Sequence, residues 1–150
     1  MNRLLFLIVL VFSTQSIAFS QRGAWTTEEG DLTAMIMHDA KRDSIEWLDV
    51  HGVLGAEDIA TIRSLPSLKK LNIRGCKIKE IPDSAFYGMP NLEVIKLPRK
   101  TKIIGAVILK NCPKLRKVKF PSKPTIVSPT AYEGIDTEIL KKVNSNLANR

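Results

Sequence analysis

Residues 81–98 read IPDSAFYGMPNLEVIKLP, and in them Leu92, Ile95 and Leu97 set out an apolar-x-x-apolar-x-apolar template. The same template stands on both sides of this stretch. It recurs as Ile45, Leu48 and Val50, as Leu68, Leu71 and Ile73, and as Leu115, Val118 and Phe120, at offsets of 23, 24 and 23 residues. A strand alternates its faces, so the last two apolar positions of each template point the same way. One such unit cannot bury that face alone; its neighbours must stack on it.

The register extends beyond the strands. Ile62, Phe86, Leu109 and Tyr132 form one column, followed three positions later by Leu65, Met89 and Cys112 and then by Pro66, Pro90 and Pro113. Ile81, Ile104 and Val127 form another. Gly88 and Gly134 share a place with Ser64 and Asn111, as a tight turn allows. Pro98 and Pro121 follow the third and fourth templates directly, and a residue without a backbone donor ends a ladder of hydrogen bonds there. A period of 23–24 lies in the window of leucine-rich solenoids. The expected fold is an α/β solenoid: a short leucine-rich repeat stack of about four coils with parallel strands, preceded by an N-terminal capping helix.

The runs Ile81–Pro98 and VILKNCPKLRKVKFP (Val107–Pro121) resemble the BspA-like leucine-rich repeat family of bacterial and protist surface proteins. Ala85, Phe86, Gly88, Met89, Leu92, Ile95, Leu97 and Pro98 match that family's alanine–aromatic pair, turn residue, buried Met or Cys and strand motif. The next repeat departs from it, with Ile108 and Leu109 in place of the Ala–Phe pair, while Cys112 matches. The resemblance spans roughly residues 45–134. It implies adhesion or protein–protein contact at a cell surface, an architecture shared without a shared ligand.

The ends of the chain differ from its middle. Residues 1–20 have the build of a secretory signal: Arg3, an unbroken apolar run from Leu4 to Phe12, then Ala18 and Ser20 at small-residue spacing. Nine apolar residues are too few to cross a bilayer about 30 Å thick. The mature protein is therefore expected outside the cytoplasm, with no membrane span once the signal is removed; an uncleaved anchor is the competing reading. Residues 21–44 are expected to cap the first coil, with Thr26 and Glu29 at capping-box spacing and Leu32, Met35 and Ile36 on one helical face. Ala56–Ser64 suggests a helical turn. Residues 45–134 form the repeats, and 135–150 a C-terminal cap, either a helix with Leu140, Val143 and Leu147 on one face after Asp136 or a degenerate fifth strand.

Little here speaks for catalysis. Cys76 and Cys112 stand at different places in the repeat, and Met89 and Leu65 occupy the Cys112 column, which favours buried free thiols over a bridge. His38 beside Asp39 and His51 near Asp49 come with neither a nucleophile nor metal-ligand spacing. The carboxylate pairs Glu28/Glu29 and Glu57/Asp58 lie in polar, surface-like segments. No phosphate loop, dinucleotide fingerprint or zinc motif is present, so no cofactor and no enzyme is expected.

Charge gives the functional pointer. The chain has 23 Lys/Arg against 15 Asp/Glu, net +8, but unevenly placed. Residues 21–62 hold three Lys/Arg and nine Asp/Glu, net −6; residues 63–123 hold sixteen and three, net +13. Three outward columns read Trp47, Lys70, Val94, Lys117; Asp49, Asn72, Lys96, Lys119; and Glu46, Lys69, Glu93, Arg116. The expected function is a secreted or surface-exposed non-catalytic module that binds an acidic protein or an anionic glycan through Lys70, Arg74, Lys96, Lys117 and Lys119. A lysine face that serves only solubility is the plain alternative. An assembly subunit stacking end to end, and a hydrolytic enzyme with an unrecognised site, are the other two. Nucleic acid is not expected, since no exposed aromatic platform is legible beside the lysines. The oligomeric state is left open.

Overall fold

A computed structural model of the chain describes residues 21–122 and 124–141. The expected signal, Lys123, Val143 and Leu147 lie outside these. Eight strands follow in chain order: β1 (Gln21–Thr26), β2 (Trp47–Val53), β3 (Lys70–Lys77), β4 (Glu80–Ile81), β5 (Val94–Lys96), β6 (Ile103–Ile104), β7 (Lys117–Lys119) and β8 (Ile126–Val127). The five strands β1-β2-β3-β5-β7 form one parallel sheet in that order, and β4-β6-β8 form a second, also parallel. Each coil runs from the large sheet through a corner to the opposite wall and back.

The register agrees with the sequence columns. Trp47 lies beside Lys70, Lys70 beside Val94 and Val94 beside Lys117; Asp49, Asn72, Lys96 and Lys119 align likewise. Leu48, Val50, Leu71, Ile73, Ile95 and Leu97 are all buried between the walls, with Ile62, Phe86, Met89, Ile81 and Ile104 opposite them. At about 1.5–3 kcal/mol per buried aliphatic side chain, this shared interior is what holds successive coils together. The fourth template is looser: Val118 is buried, but Leu115 and Phe120 only pack against the core from partly exposed positions. The prolines act as expected. Leu97 N donates the last ladder bond to Lys119 O (2.9 Å) before Pro98, and β5 and β7 are three residues long. In the preceding coil Arg74 occupies the proline place, and β3 runs on to Lys77.

Three expectations need correction. First, the large sheet has one strand more than the four templates, because Gln21–Thr26 pairs with β2 along its whole length. The segment expected to cap the first coil thus also contributes a strand to the sheet. Second, the helix α1 spans Asp31–Met37 and begins at Gly30, so Thr26 and Glu29 form no capping box. The Thr26 hydroxyl instead donates towards the carbonyls of His51 and Val53, stitching β1 to the next coil. Third, Asp58 is not at the surface. It lies in the first turn of α2 (Ala56–Arg63), fully buried, and its carboxylate accepts from Gly30 N (2.9 Å), Gly55 N (2.9 Å), Thr33 N (3.0 Å) and Thr33 Oγ1 (3.1 Å). One side chain therefore satisfies orphan donors at the starts of both helices. Glu28 and Glu29 are exposed, as expected.

The turn column holds at Gly88, Asn111 and Gly134, whose φ values are 69°, 60° and 80°. Ser64 departs from it: it closes α2 in a right-handed conformation (φ −76°). At the far end, residues 137–141 are helical, and Asp136 Oδ1 accepts from Glu138 N at 2.7 Å.

Candidate functional site

Where the chain leaves the large sheet and turns towards the small one, successive corners stack and leave an open groove of about 910 Å³. Its lining comes from the ends of β3, β5 and β7 and the turns that follow them. Eight cations line it: Arg74, Lys77, Lys79, Lys96, Arg99, Lys100, Lys102 and Lys119. His51, Asn72, Gly75, Cys76 and Ile78 complete it, and no carboxylate is among the lining residues.

The cations come in pairs on adjacent coils. Lys96 and Lys119 are register partners. Arg99 N donates to Arg74 O (3.4 Å) and Lys102 N to Lys79 O (3.3 Å), so those residues stack as well. Lys77 and Lys100 stand one repeat apart in sequence. Neighbouring coils are about 4.8 Å apart, so each pair sets like charges side by side, an arrangement that costs stability. At Arg74 burial, and then the neighbouring Arg99 charge, pull the guanidinium pKa below the usual arginine value. It remains a cation at any physiological pH.

Outside the groove one column matches its charges, and a further pair does the same on the opposite wall, while Lys70 and Lys117 on the sheet face have no ion-pair partner among the described residues. Lys69 meets Glu46 at 2.7 Å, Arg116 meets Glu93 at 2.9 Å, and Lys110 pairs with Glu133, each across one coil step. None of the eight groove cations has an ion-pair partner among the described residues. The Glu46–Arg116 column, read in the sequence as part of a basic face, is in fact neutralised pairwise.

Of the five residues singled out by sequence, the groove gathers Arg74, Lys96 and Lys119. Lys70 and Lys117 do not line it. Lys70 Nζ sits 5.6 Å from the centre of the Trp47 ring, in a cation–π contact of its own. Lys79, Arg99, Lys100 and Lys102 were missed because they lie in turns and not on strand faces, and Lys77 because it ends β3 beyond the apolar template. Their recurrence at 23 residues (Lys77 to Lys100, Lys79 to Lys102) was the available signal.

At the end towards β1, His51 carries an acidic neighbour: its Nε2 is 3.3 Å from Asp49 Oδ1, and Asn72 Nδ2 donates to the same oxygen at 2.9 Å. Trp25 stacks on the His51 ring with centroids 4.7 Å apart and is 67% exposed. One exposed aromatic therefore stands at this end of the groove, beside its lining histidine. Gly75 faces this histidine, and a Cβ there would meet His51 Nδ1 at 2.5 Å; the missing side chain makes room for the ring. His38 is exposed at the end of α1.

Both cysteines are free thiols. Cys76 Sγ donates to Val50 O at 3.1 Å in the interior; burial, and then the negative charges of Asp49 and Asp58, push its pKa up to about 12. Cys112 is only partly buried and donates to Phe86 O at 3.1 Å; burial raises its pKa too. Neither is a ready thiolate. Among the described residues no cluster of His, Cys, Asp and Glu could hold a metal ion, and no helix is long and apolar enough to cross a membrane.

No curated protein matches the chain. Residues 61–139, more than half of it, match a family model described as BspA type leucine rich repeat region (6 copies). The parallel coils, their period and this match agree: the chain belongs to the BspA-type leucine-rich repeat family.

Proposed function

We propose that this protein is a non-catalytic binding module, working at or beyond the cell surface in the manner of an adhesin, whose basic groove receives an acidic protein or an anionic glycan. Membership of a repeat family supports a contact function, since stacked coils build extended binding surfaces. The signal-like build of residues 1–20 supports export. The observation that carries the reading is the contrast in charge pairing. Three ion pairs outside the groove join opposite charges across coils, whereas eight cations inside it face one another with no carboxylate among the lining residues. A cleft lined by one sign of charge focuses its field on a ligand of the other sign. The non-catalytic part rests on the state of the reactive groups: His51 is engaged with Asp49 and Trp25, and Cys76 is held as a thiol.

The test is binding of a panel of polyanions to the wild-type chain and to the variant R74E/K96E/K119E, at low and at high ionic strength. The proposal expects binding that weakens with salt and disappears in the variant. If a folded triple variant binds as the wild type does, or the wild type binds no polyanion at low salt, the proposal is wrong.

A further inference from the structure

We infer that the ligand of this groove is a linear anionic polysaccharide laid along the solenoid axis, with a sulfate or carboxylate on successive sugar units. This rests on the reading of the groove as an anion site and names its occupant.

The lining speaks against a protein. Interfaces between proteins are depleted in Lys and enriched in aromatic residues and Met, and a few buried aromatic or Arg anchors carry most of their energy. Here six of the eight cations are Lys, no Phe, Tyr, Trp or Met lines the groove, and its one aliphatic side chain, Ile78, already packs against the core. Between β3 and β7 the groove offers a peptide no strand edge to join, the free edge β7 lying only at its end. The corner amides are used between coils, with Arg99 N on Arg74 O, Ser122 N on Arg99 O and Thr125 N on Lys102 O.

Spacing points the same way. The cation pairs repeat at the coil step of about 4.8 Å, along the axis of the stack. An extended acidic peptide advances about 3.4 Å per residue and turns alternate side chains away, so its carboxylates on one face recur about every 6.8 Å, out of step with the lysines. A nucleic acid strand offers phosphates about every 3.4 Å along the helix and, when single, asks for a row of aromatic platforms that the groove lacks. A polysaccharide with one anionic group per sugar advances by roughly one ring per charge, close to one coil. Ammonium groups on flexible stems suit it, since they follow sulfates or carboxylates without demanding one fixed geometry. At the β1 end the exposed face of Trp25 adds a surface on which a sugar ring can lie.

The experiment titrates the full chain, by calorimetry at one fixed low salt, with heparin, polygalacturonate, poly-L-glutamate and oligo-dT, each compared per anionic group. Heparin and polygalacturonate distinguish sulfate from carboxylate as the preferred group. At least one polysaccharide should bind about tenfold tighter than both poly-L-glutamate and oligo-dT. Lys79→Glu with Lys102→Glu should weaken that binding by more than about tenfold, whereas Lys70→Glu with Lys117→Glu, the same charge change outside the groove, should alter it less than about threefold. Should the first double variant fail to fold, glutamine at the same two positions replaces it, with a loss of about threefold or more expected. Equal or tighter binding of poly-L-glutamate overturns the inference while the anion site stands; equal binding of oligo-dT overturns it in favour of a nucleic acid. No binding of any polyanion removes both readings.

Discussion

Replacing Asp58 tests how the first two coils are joined. The side chain is fully buried, and each carboxylate oxygen accepts two hydrogen bonds: Oδ2 from Gly30 N and Gly55 N, Oδ1 from Thr33 N and Thr33 Oγ1. In Asp58→Ala three backbone N–H groups lose their partner. A buried donor left unpaired costs about 1–3 kcal/mol. Gly30 and Thr33 are half-buried, so water reaches part of the gap and the lower end of the sum applies, about 3–5 kcal/mol. Asp58→Asn is more discriminating because it keeps the shape. One amide oxygen still serves one pair of donors, but the NH2 faces the other pair. The Thr33 hydroxyl can turn round to accept, its Thr61 contact notwithstanding, which leaves one opposed N–H and a cost of about 2 kcal/mol. Urea unfolding followed by tryptophan fluorescence reports on this region, since Trp25 and Trp47 stand in the first two strands of the sheet. Because each coil contacts only its neighbours, the alanine variant should lose the Trp signal before the far-UV circular dichroism of the remaining coils. The reasoning fails if Asp58→Ala lies within about 1 kcal/mol of wild type, or if Asp58→Asn is the worse of the two.

Three further outcomes follow from single residues. Thr101 is buried with an unpaired hydroxyl, one repeat after Ile78; Thr101→Val removes that group and should raise stability by about 1 kcal/mol in urea unfolding. Val107 holds a β-branched side chain at φ 46°, so Val107→Gly should be neutral to stabilising by about 1 kcal/mol, and a marked loss would contradict the strain. Cys76 has a folded-state pKa raised from an ordinary value of 9.0 to about 12. Above pH 9 the unfolded thiol is the one that gives up its proton, so the stability that burial protects is whole below that pH and falls as pH rises towards 12, by at most about 1.4 kcal/mol per unit from this residue. Cys76→Ala should flatten that fall, and in the native protein a thiol reagent at pH 8 should reach the partly exposed Cys112 first.

The stack itself could be read from the sequence because each coil repeats Leu or Ile at fixed places, and the pairing of Lys70 with Val94 and of Val94 with Lys117 followed from counting. β1 escaped notice for a physical reason. Its inward positions are Arg22, Ala24 and Thr26, too small or too polar to show an apolar period, and the strand forms because the edge of β2 offers partners. The second sheet was visible only as the column Ile81, Ile104, Val127: a two-residue strand has one inward side chain per coil and no alternation to read. Asp58 looked like surface because its partners Gly30 and Thr33 are 28 and 25 residues away. The groove was half legible. Outward strand positions led to Arg74, Lys96 and Lys119, but the same rule brought in Lys70 and Lys117, which lie outside it. Corner residues face a direction that no strand period encodes.

Lysine footprinting tests the anion groove most directly. The full chain is acetylated with a mild reagent, with and without a saturating sulfated polysaccharide, and the rate at each lysine is read by mass spectrometry. The account predicts that Lys77, Lys79, Lys96, Lys100, Lys102 and Lys119 are slowed together, while Lys70 and Lys117 keep their rates. Protection spread evenly over the surface, centred on Lys70 and Lys117, or absent would contradict it.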